Sequence, residues 1–350
     1  MKLTFAALLG LVLPFGALAA APAAVTVMTQ NLNAGTGLDF AVAELMGALP
    51  PGVGVALTYD EIVQSNIPER ADMLAAKIAA LKPDLLVLQE VSLWRTGDSP
   101  DTATTVLYDQ LQLLLAKLNA RGVPYDIAAV NTISDLSLPM APAGALRLTD
   151  RDAVLYRGDL RPPAFHLSDV HANLFDATYA LGPLEIPAGW ISATVHLGNR
   201  HFRLVMTHLQ SPVGGDSSAA EAQAAQARQL IADTRNSTVP VVVAGDFNSD
   251  AILGSRGRGP DNTDIAPLFL TAGFLDAWTV AGSGDAATWP LYLQDQFPPA
   301  PFLARSVPYE RIDWILTKGL SVVAAERVLT GAQWPYYASD HAGVIATLQF

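Results

Sequence analysis

The sequence predicts an α/β fold in which mixed β-sheets are covered by helices. Three observations carry this expectation. Short runs rich in valine, isoleucine and leucine, each bounded by turn residues, recur along the chain at strand length. Between them lie segments whose apolar residues repeat at helical spacing. Two of the runs, 190–197 and 202–209, are close enough in sequence to pair as a hairpin, so strands of both directions belong in the same sheets.

In chain order, strands are expected at 23–31, 84–91, 125–130, 152–157, 190–197, 202–209, 239–247, 311–317 and 320–329, and the segment after His341 supplies the last. The first helix follows from Ile67, Ala71, Leu74, Ile78 and Leu81, which share one face. Asn66 and Glu69 have the spacing of a capping box, and Pro83 lies just past the end. Leu107, Leu111, Leu114 and Leu118 predict a second helix from about 104 to 119, and an Ala-Glu-Ala-Gln pattern predicts a third over 218–235. Residues 34–64 form an unusually long connection with several glycines and prolines. Such connections serve as lids or binding loops, with disorder as the alternative.

The chain opens on Lys2, an apolar run from Leu3 to Leu18 and the small-residue pattern Ala17-Leu18-Ala19. The run is shorter than the roughly 20 apolar residues that span a bilayer, and it reads as a signal peptide over 1–20. The expectation is an exported protein, periplasmic or extracellular. A monomer without an integral membrane segment is expected, with one domain over 21–350 and 34–64 as an insertion. The chain contains no cysteine, which excludes disulfide scaffolds and thiol chemistry.

The formal net charge is −12, and removal of Lys2 leaves 20 basic against 33 acidic side chains, a balance of −13. Non-specific affinity for polyanions draws on the opposite balance, so a nucleic-acid partner requires local basic clusters. Arg147, Arg151, Arg157 and Arg161 form one candidate cluster, and Arg256 with Arg258 another; surface arginines without a ligand are the plainer reading of both.

Several apolar strands end on polar residues: 23–31 at Asn31, 84–91 near Glu90, 202–209 near His208, and 239–247 at Asp246 with Asn248 just beyond. Strands running together deliver their carboxyl ends to one edge, where open α/β sheets place ligands. Asp313 and the Asp340-His341 pair lie instead at the starts of their strands, so antiparallel neighbours bring them to the same edge. Taken singly, each residue is an ordinary turn or surface group. Taken together, acids, amides and imidazoles converging from several strands suit phosphate-ester hydrolysis with a hard cation such as Mg²⁺ or Mn²⁺. Asp152 reads as an ordinary acid near a strand start, outside this set.

The stretches "TQN", "LQEV", "THLQ", "GDFN", "RIDWIL" and "SDH" occur in the order found in the endonuclease/exonuclease/phosphatase superfamily, which the sequence resembles across nearly all of 21–350. The resemblance implies a four-layer sandwich, two mixed sheets packed face to face with helices outside. It implies a hydrolase that uses Mg²⁺ or Mn²⁺, with Ca²⁺ as a further option, in one or two ions. On this resemblance Glu90, Asn31 and Asp340 serve the metal. Asp246 positions or activates water, Asn248 contacts phosphate or the metal site, and His341 paired with Asp313 is the catalytic histidine. His208 donates to a phosphoryl oxygen. Substrates among such proteins include nucleic acids, which make a nuclease the first expectation, and phospholipid head groups as in sphingomyelinases. "QWPYY", with Trp334, Tyr336 and Tyr337, either caps the core or lines a substrate mouth. An inactive binding protein on the same fold is the reading from a different class.

Overall fold

The computed structural model describes residues 24–212, 216–251, 265–292, 307–331 and 337–350. The signal-peptide segment, Arg256, Arg258, Trp334 and Tyr336 lie outside the described residues. The strands are β1 (Ala24–Asn31), β2 (Leu85–Gln89), β3 (Leu93–Gly97), β4 (Thr105–Asp109), β5 (Tyr125–Pro139), β6 (Ala145–Arg157), β7 (Phe165–Leu174), β8 (Tyr179–Leu181), β9 (Leu184–Ile186), β10 (Gly189–Leu197), β11 (Arg200–His208), β12 (Val241–Asp246), β13 (Leu275–Asp276), β14 (Asp313–Lys318), β15 (Ser321–Val328) and β16 (Gly343–Gln349). The α-helices are α1 (Asp39–Leu45), α2 (Val53–Gln64), α3 (Ile67–Leu81), α4 (Gln110–Ala120), α5 (Ser217–Arg235), α6 (Ala266–Thr271) and α7 (Ala277–Ala281).

Two large mixed sheets result. One is ordered β15-β16-β1-β2-β6-β3-β4, with β5 also paired to β6; the other is ordered β13-β14-β12-β11-β10-β7. Their inner faces meet in a common core, where Val27, Val87 and Val154 of the first pack with Ile191, Phe202 and Leu204 of the second. Side chains on the alternate face of each strand point outward. Met28, Leu86 and Leu88 therefore pack under Leu74, Ile78 and Leu114 of α3 and α4, while Val243 and Trp314 pack under Leu230 and Phe269 of α5 and α6. The architecture is the expected four-layer sandwich.

The local differences have physical causes. The segment expected to be helical from 104 begins as β4, because the β-branched Thr105 and Val106 pair with β3; α4 starts only at Gln110, where the Asp109 carboxylate accepts from the Gln112 N–H at 3.3 Å. The capping box at Asn66 does not form. Asn66 adopts a left-handed conformation (φ 48°) without a side-chain cap, and Pro68 opens α3 instead. The ribbon of β5 and β6 extends well beyond 125–130 and 152–157, since "NTISDLSLP" alternates polar and apolar residues as a half-exposed strand does. The long connection 34–64 is largely helical, folded into α1 and α2. Among the described residues no helix is long and apolar enough to cross a membrane.

Candidate active site

Register decides which polar residues meet. β1 and β2 run parallel with Asn31 opposite Gln89, and β11 and β12 run parallel with His208 opposite Asp246. β14 lies antiparallel on the other side of β12 and brings its first residue, Asp313, opposite Asp246. Asp246 thus sits between His208 and Asp313 at one level of one sheet. β16 runs antiparallel to β1, so the Asp340-His341 pair preceding it arrives at the same edge. The close approach of β11 and β12 demands glycine one residue earlier: a Cβ on Gly245 would lie 1.8 Å from the Thr207 carbonyl oxygen.

Each motif splits its side chains between core and cleft. In "GDFN", Phe247 turns outward to stack on Trp314 at 4.3 Å, which leaves Asp246 and Asn248 to the cleft. Asn248 donates its backbone N–H to Asp246 Oδ1 at 2.8 Å and its Nδ2 to the Leu209 carbonyl at 2.9 Å, and its left-handed backbone (φ 46°) is one that asparagine tolerates. In "RIDWIL", Arg311 makes a two-pronged ion pair to Asp276 at 3.0 and 2.6 Å, Trp314 enters the outer core, and Asp313 faces inward. Glu90 holds the same left-handed conformation (φ 53°) just past β2, a strained geometry for a glutamate and one that aims its carboxylate across the cleft.

The resulting network is continuous. Asn31 Nδ2 donates to Glu90 Oε1 at 2.7 Å and to Asp246 Oδ2 at 3.1 Å, while the Ala34 N–H donates to Glu90 Oε2 at 2.7 Å. His341 Nδ1 pairs with Asp313 Oδ2 at 2.9 Å and lies 3.9 Å from Asp246 Oδ2; its Nε2 lies 4.0 Å from Asp340 Oδ1. The indole of Trp289 donates to Asp340 Oδ2 at 3.2 Å. His208 reaches Asp246 Oδ2 at 3.9 Å with Nε2 and Asp152 Oδ1 at 3.5 Å with Nδ1. Every sequence-predicted site residue joins this cluster. Asp152, set aside as an ordinary acid, belongs to it as well: it is fully buried and orients His208. The signal was present in "TDRDAVLYR", an acid inside a run otherwise destined for the core, but it names no partner by itself.

Burial and like charge shape the electrostatics. Burial pushes Asp246 up from the usual carboxylate range, and the neighbouring Asp313 adds to the rise. Burial also pushes Asp150 up to about 7, with Asp152 contributing repulsion. For His208, burial disfavours the imidazolium, but the Asp152 carboxylate outweighs it and holds the pKa up to about 10. His341 is likewise held well above its ordinary value: burial opposes, and Asp313 and Asp340 prevail.

So many buried carboxylates in one cleft call for a cation. One oxygen or nitrogen each from Asp246, Asp313 and His341 lie within 4.8 Å of one another, and the Oδ1 of Asp313 is a buried acceptor without a hydrogen bond. Two carboxylate oxygens with an imidazole beside them fit a hard divalent ion. Of the expected metal residues, Glu90 and Asp340 stand outside that closest group. Asn31 turns its amide nitrogen, not its oxygen, to the acids, because the oxygen is taken by the Asn33 N–H at 2.8 Å.

The candidate basic cluster does not offer free cations. Arg147 pairs with Asp135 at 2.5 Å, Arg151 with Asp109 at 2.7 Å, Arg157 with Asp159 at 2.7 Å and Arg161 with Asp126 at 3.5 Å. Tyr337 is buried and packs against Tyr292, the core role of the two expected for it.

The family model for the endonuclease/exonuclease/phosphatase family matches residues 28–341. The chain belongs to that family. Similar solved structures include an endonuclease/exonuclease/phosphatase from Beutenbergia cavernae, 22% identical over 93% of this chain and 72% of the other with a TM-score of 0.59. A family protein from Bacteroides vulgatus is 19% identical over 94% and 99%, with a TM-score of 0.56. D. rerio TDP2 complexed with a single-strand DNA product is 14% identical over 93% and 99%, with a TM-score of 0.53. No curated protein matches the sequence significantly. At these identities the likeness speaks to fold, and the chemistry rests on the site itself.

Proposed function

We propose that this protein is an exported, divalent-metal-dependent phosphoesterase that hydrolyses a phosphodiester or phosphomonoester by in-line attack of water. The observation that carries the reading is the arrangement around Asp246: two histidines approach its Oδ2 at 3.9 Å, each backed by its own buried aspartate. An acid flanked by two oriented imidazoles supplies a water-positioning group on one side and proton donors on the other.

Asp246, held by the N–H of Asn248, positions the water and draws on its proton. His208, kept charged by Asp152, donates to a non-bridging phosphoryl oxygen. His341, fixed by Asp313, stands where the departing oxygen or a second phosphoryl oxygen collects charge. Glu90 and Asp340 would hold Mg²⁺ or Mn²⁺, Asn31 orients the carboxylates of Glu90 and Asp246 by donating its amide nitrogen to both, and Asp246 adds a carboxylate to that cluster. An ion held there would supply positive charge to the phosphoryl oxygens in a cleft that is otherwise acidic. In balance, the water oxygen bonds to phosphorus, the ester P–O bond breaks, the departing alcohol gains one proton, and the other is released with the phosphate product.

A nuclease and a phospholipid phosphodiesterase are the two substrate readings. The fold likeness to a DNA-product complex favours the first, and the aspartate partners of Arg147, Arg151, Arg157 and Arg161 weigh against it. The test is hydrolysis of bis-p-nitrophenyl phosphate, DNA and phospholipid by the chain with Mg²⁺, Mn²⁺ or Ca²⁺. Turnover that needs the metal supports the reading. Failure on every ester with every ion would return the protein to the class of binding proteins on this fold.

A further inference from the structure

A cavity of about 550 Å³ opens directly from the acid and imidazole cluster, with Glu90, Asp152, His208 and Asn248 in its wall. That volume is typical of small-molecule sites. Away from the polar end, the walls are aliphatic: Ala41, Val42 and Leu45 from α1, Ile133 from β5, and Leu184 and Ile186 from the β8–β9 hairpin. Among the described residues the lining includes no lysine or arginine.

Two further observations show that these walls are an apolar surface left for something else to cover. The sequence of α1 is DFAVAEL, yet none of its residues is buried. A short helix so rich in apolar side chains is expected to seal against a core, and here it forms one side of a cavity instead. The roof is also closed by contact: Met46, just after α1, approaches the hairpin so closely that a Cβ on Gly182 would lie 2.8 Å from its sulfur. The insertion 34–64 and the hairpin thus enclose an apolar chamber against the catalytic edge.

The charges of the lining, among the described residues, weigh against a polymer of phosphates. A polynucleotide brings further phosphates on each side of the scissile one, and these are bound by lysine and arginine. Here the groups beside the cluster are Asp150, Asp152, Glu90 and Asp340, and the nearby Arg95 and Arg147 both pair with Asp135.

We propose that this chamber is the subsite for an apolar organic group esterified to the scissile phosphate, so that the substrate is a single phosphate ester carrying an aliphatic or aryl chain and not a polynucleotide. The inference rests on the phosphoesterase reading and deepens it. One such ester chemistry has two sources, a soluble small ester or a lipid presented by a membrane.

The experiment uses methyl, butyl and octyl p-nitrophenyl phosphodiesters with the chain and Mn²⁺, beside phosphatidylcholine vesicles and single-stranded DNA. Octyl phosphate and methyl phosphate are also titrated calorimetrically. Burial in the chamber predicts that kcat/KM rises with chain length, about fourfold for each methylene fully buried, and that octyl phosphate binds at least tenfold tighter than methyl phosphate with a negative heat-capacity change. Ala41→Trp and, as a second cavity-filling variant, Ile186→Trp reduce that preference tenfold or more, each checked for a cooperative melt. Hydrolysis of vesicles but not of monomeric octyl ester assigns the group to a membrane lipid; the reverse assigns it to a soluble ester, and both uphold the chamber. A flat chain-length series, or DNA cleaved in preference to the octyl ester, overturns it. If no ester turns over while octyl phosphate still binds tighter, the phosphoesterase reading has failed and the apolar subsite stands.

Discussion

Asp152 and His208 face each other at 3.5 Å from different sheets, Asp152 on β6 and His208 at the end of β11. The pair clamps the two layers together at the cleft and fixes which nitrogen of His208 is free. Its Nδ1 faces Asp152, so Nε2 is presented toward Asp246 and the substrate. Removing the charge while keeping the shape separates orientation from packing. Asp152→Asn is expected to lower kcat by tenfold or more and to move the alkaline limb of the pH–rate profile downward, because the imidazolium loses its stabilising partner. Asp152→Glu restores part of both. A variant with an unchanged profile would remove Asp152 from the site.

Asp150 offers a test of stability against pH. Its carboxyl is pushed up to about 7, first by burial and then by Asp152, so it binds a proton more tightly folded than unfolded. The sign follows: the folded state loses stability as pH rises from about 4 toward 7, and the loss is complete above that. Asp150→Asn removes the penalty. Urea unfolding should show it more stable than the parent by about 2 kcal/mol at pH 8 and equal to it near pH 3.5. Equal stability at both values would show that this acid carries no such cost.

Arg70 is a buried strut between the two ends of the site. It donates to the carbonyls of Leu32, Asn33 (2.9 Å) and Ala338 (3.1 Å), so one side chain ties the loop after Asn31 to the loop before Asp340 and His341. Arg70→Met takes the side-chain donor from the Leu32 and Ala338 carbonyls, while Asn33 keeps its bond from Gln110 Nε2 at 3.0 Å. The expected cost is about 3 kcal/mol by chemical denaturation, together with a fall in kcat larger than any change in KM. Full activity at unaltered stability would contradict the role.

Metal binding should be visible without turnover. An ion that binds only the folded state at 100 times its Kd adds about 2.7 kcal/mol, which raises Tm by several degrees. Mn²⁺ is expected to do this for the parent chain and to do far less for Glu90→Gln or Asp246→Asn. The shift should fade as pH falls, since protons and the ion compete for the same carboxylates. Equal shifts in parent and variants would place the ion elsewhere.

How much of this was legible beforehand depends on the kind of signal. Mixed sheets covered by helices, and the convergence of Asn31, Glu90, His208, Asp246, Asp313 and His341, follow from apolar runs that end or begin in polar residues, a pattern local to each strand; the four-layer order came from the family resemblance. Asp152 escaped because its meaning depends on a partner 56 residues away on another sheet, and no local pattern encodes that. The helix expected from 104 failed for a related reason: the leucine spacing was real, but pairing with β3 claimed its first turn. Within 34–64, α1 was hidden because it is short and its apolar side chains line a cavity instead of a core, and α2, whose Val55 and Ile62 do enter the core, follows directly on Pro50, Pro51 and Gly52, which read as a loop.

The central claim is that the His341–Asp313 pair, set beside Asp246 and within a metal-binding cleft, performs phosphoester hydrolysis. Steady-state hydrolysis of bis-p-nitrophenyl phosphate in Mn²⁺ by the parent and by His341→Ala tests it most directly. Activity that requires the metal, with kcat lower by 10²- to 10⁴-fold in a variant that still melts cooperatively, is the predicted result. Turnover retained in His341→Ala would contradict it.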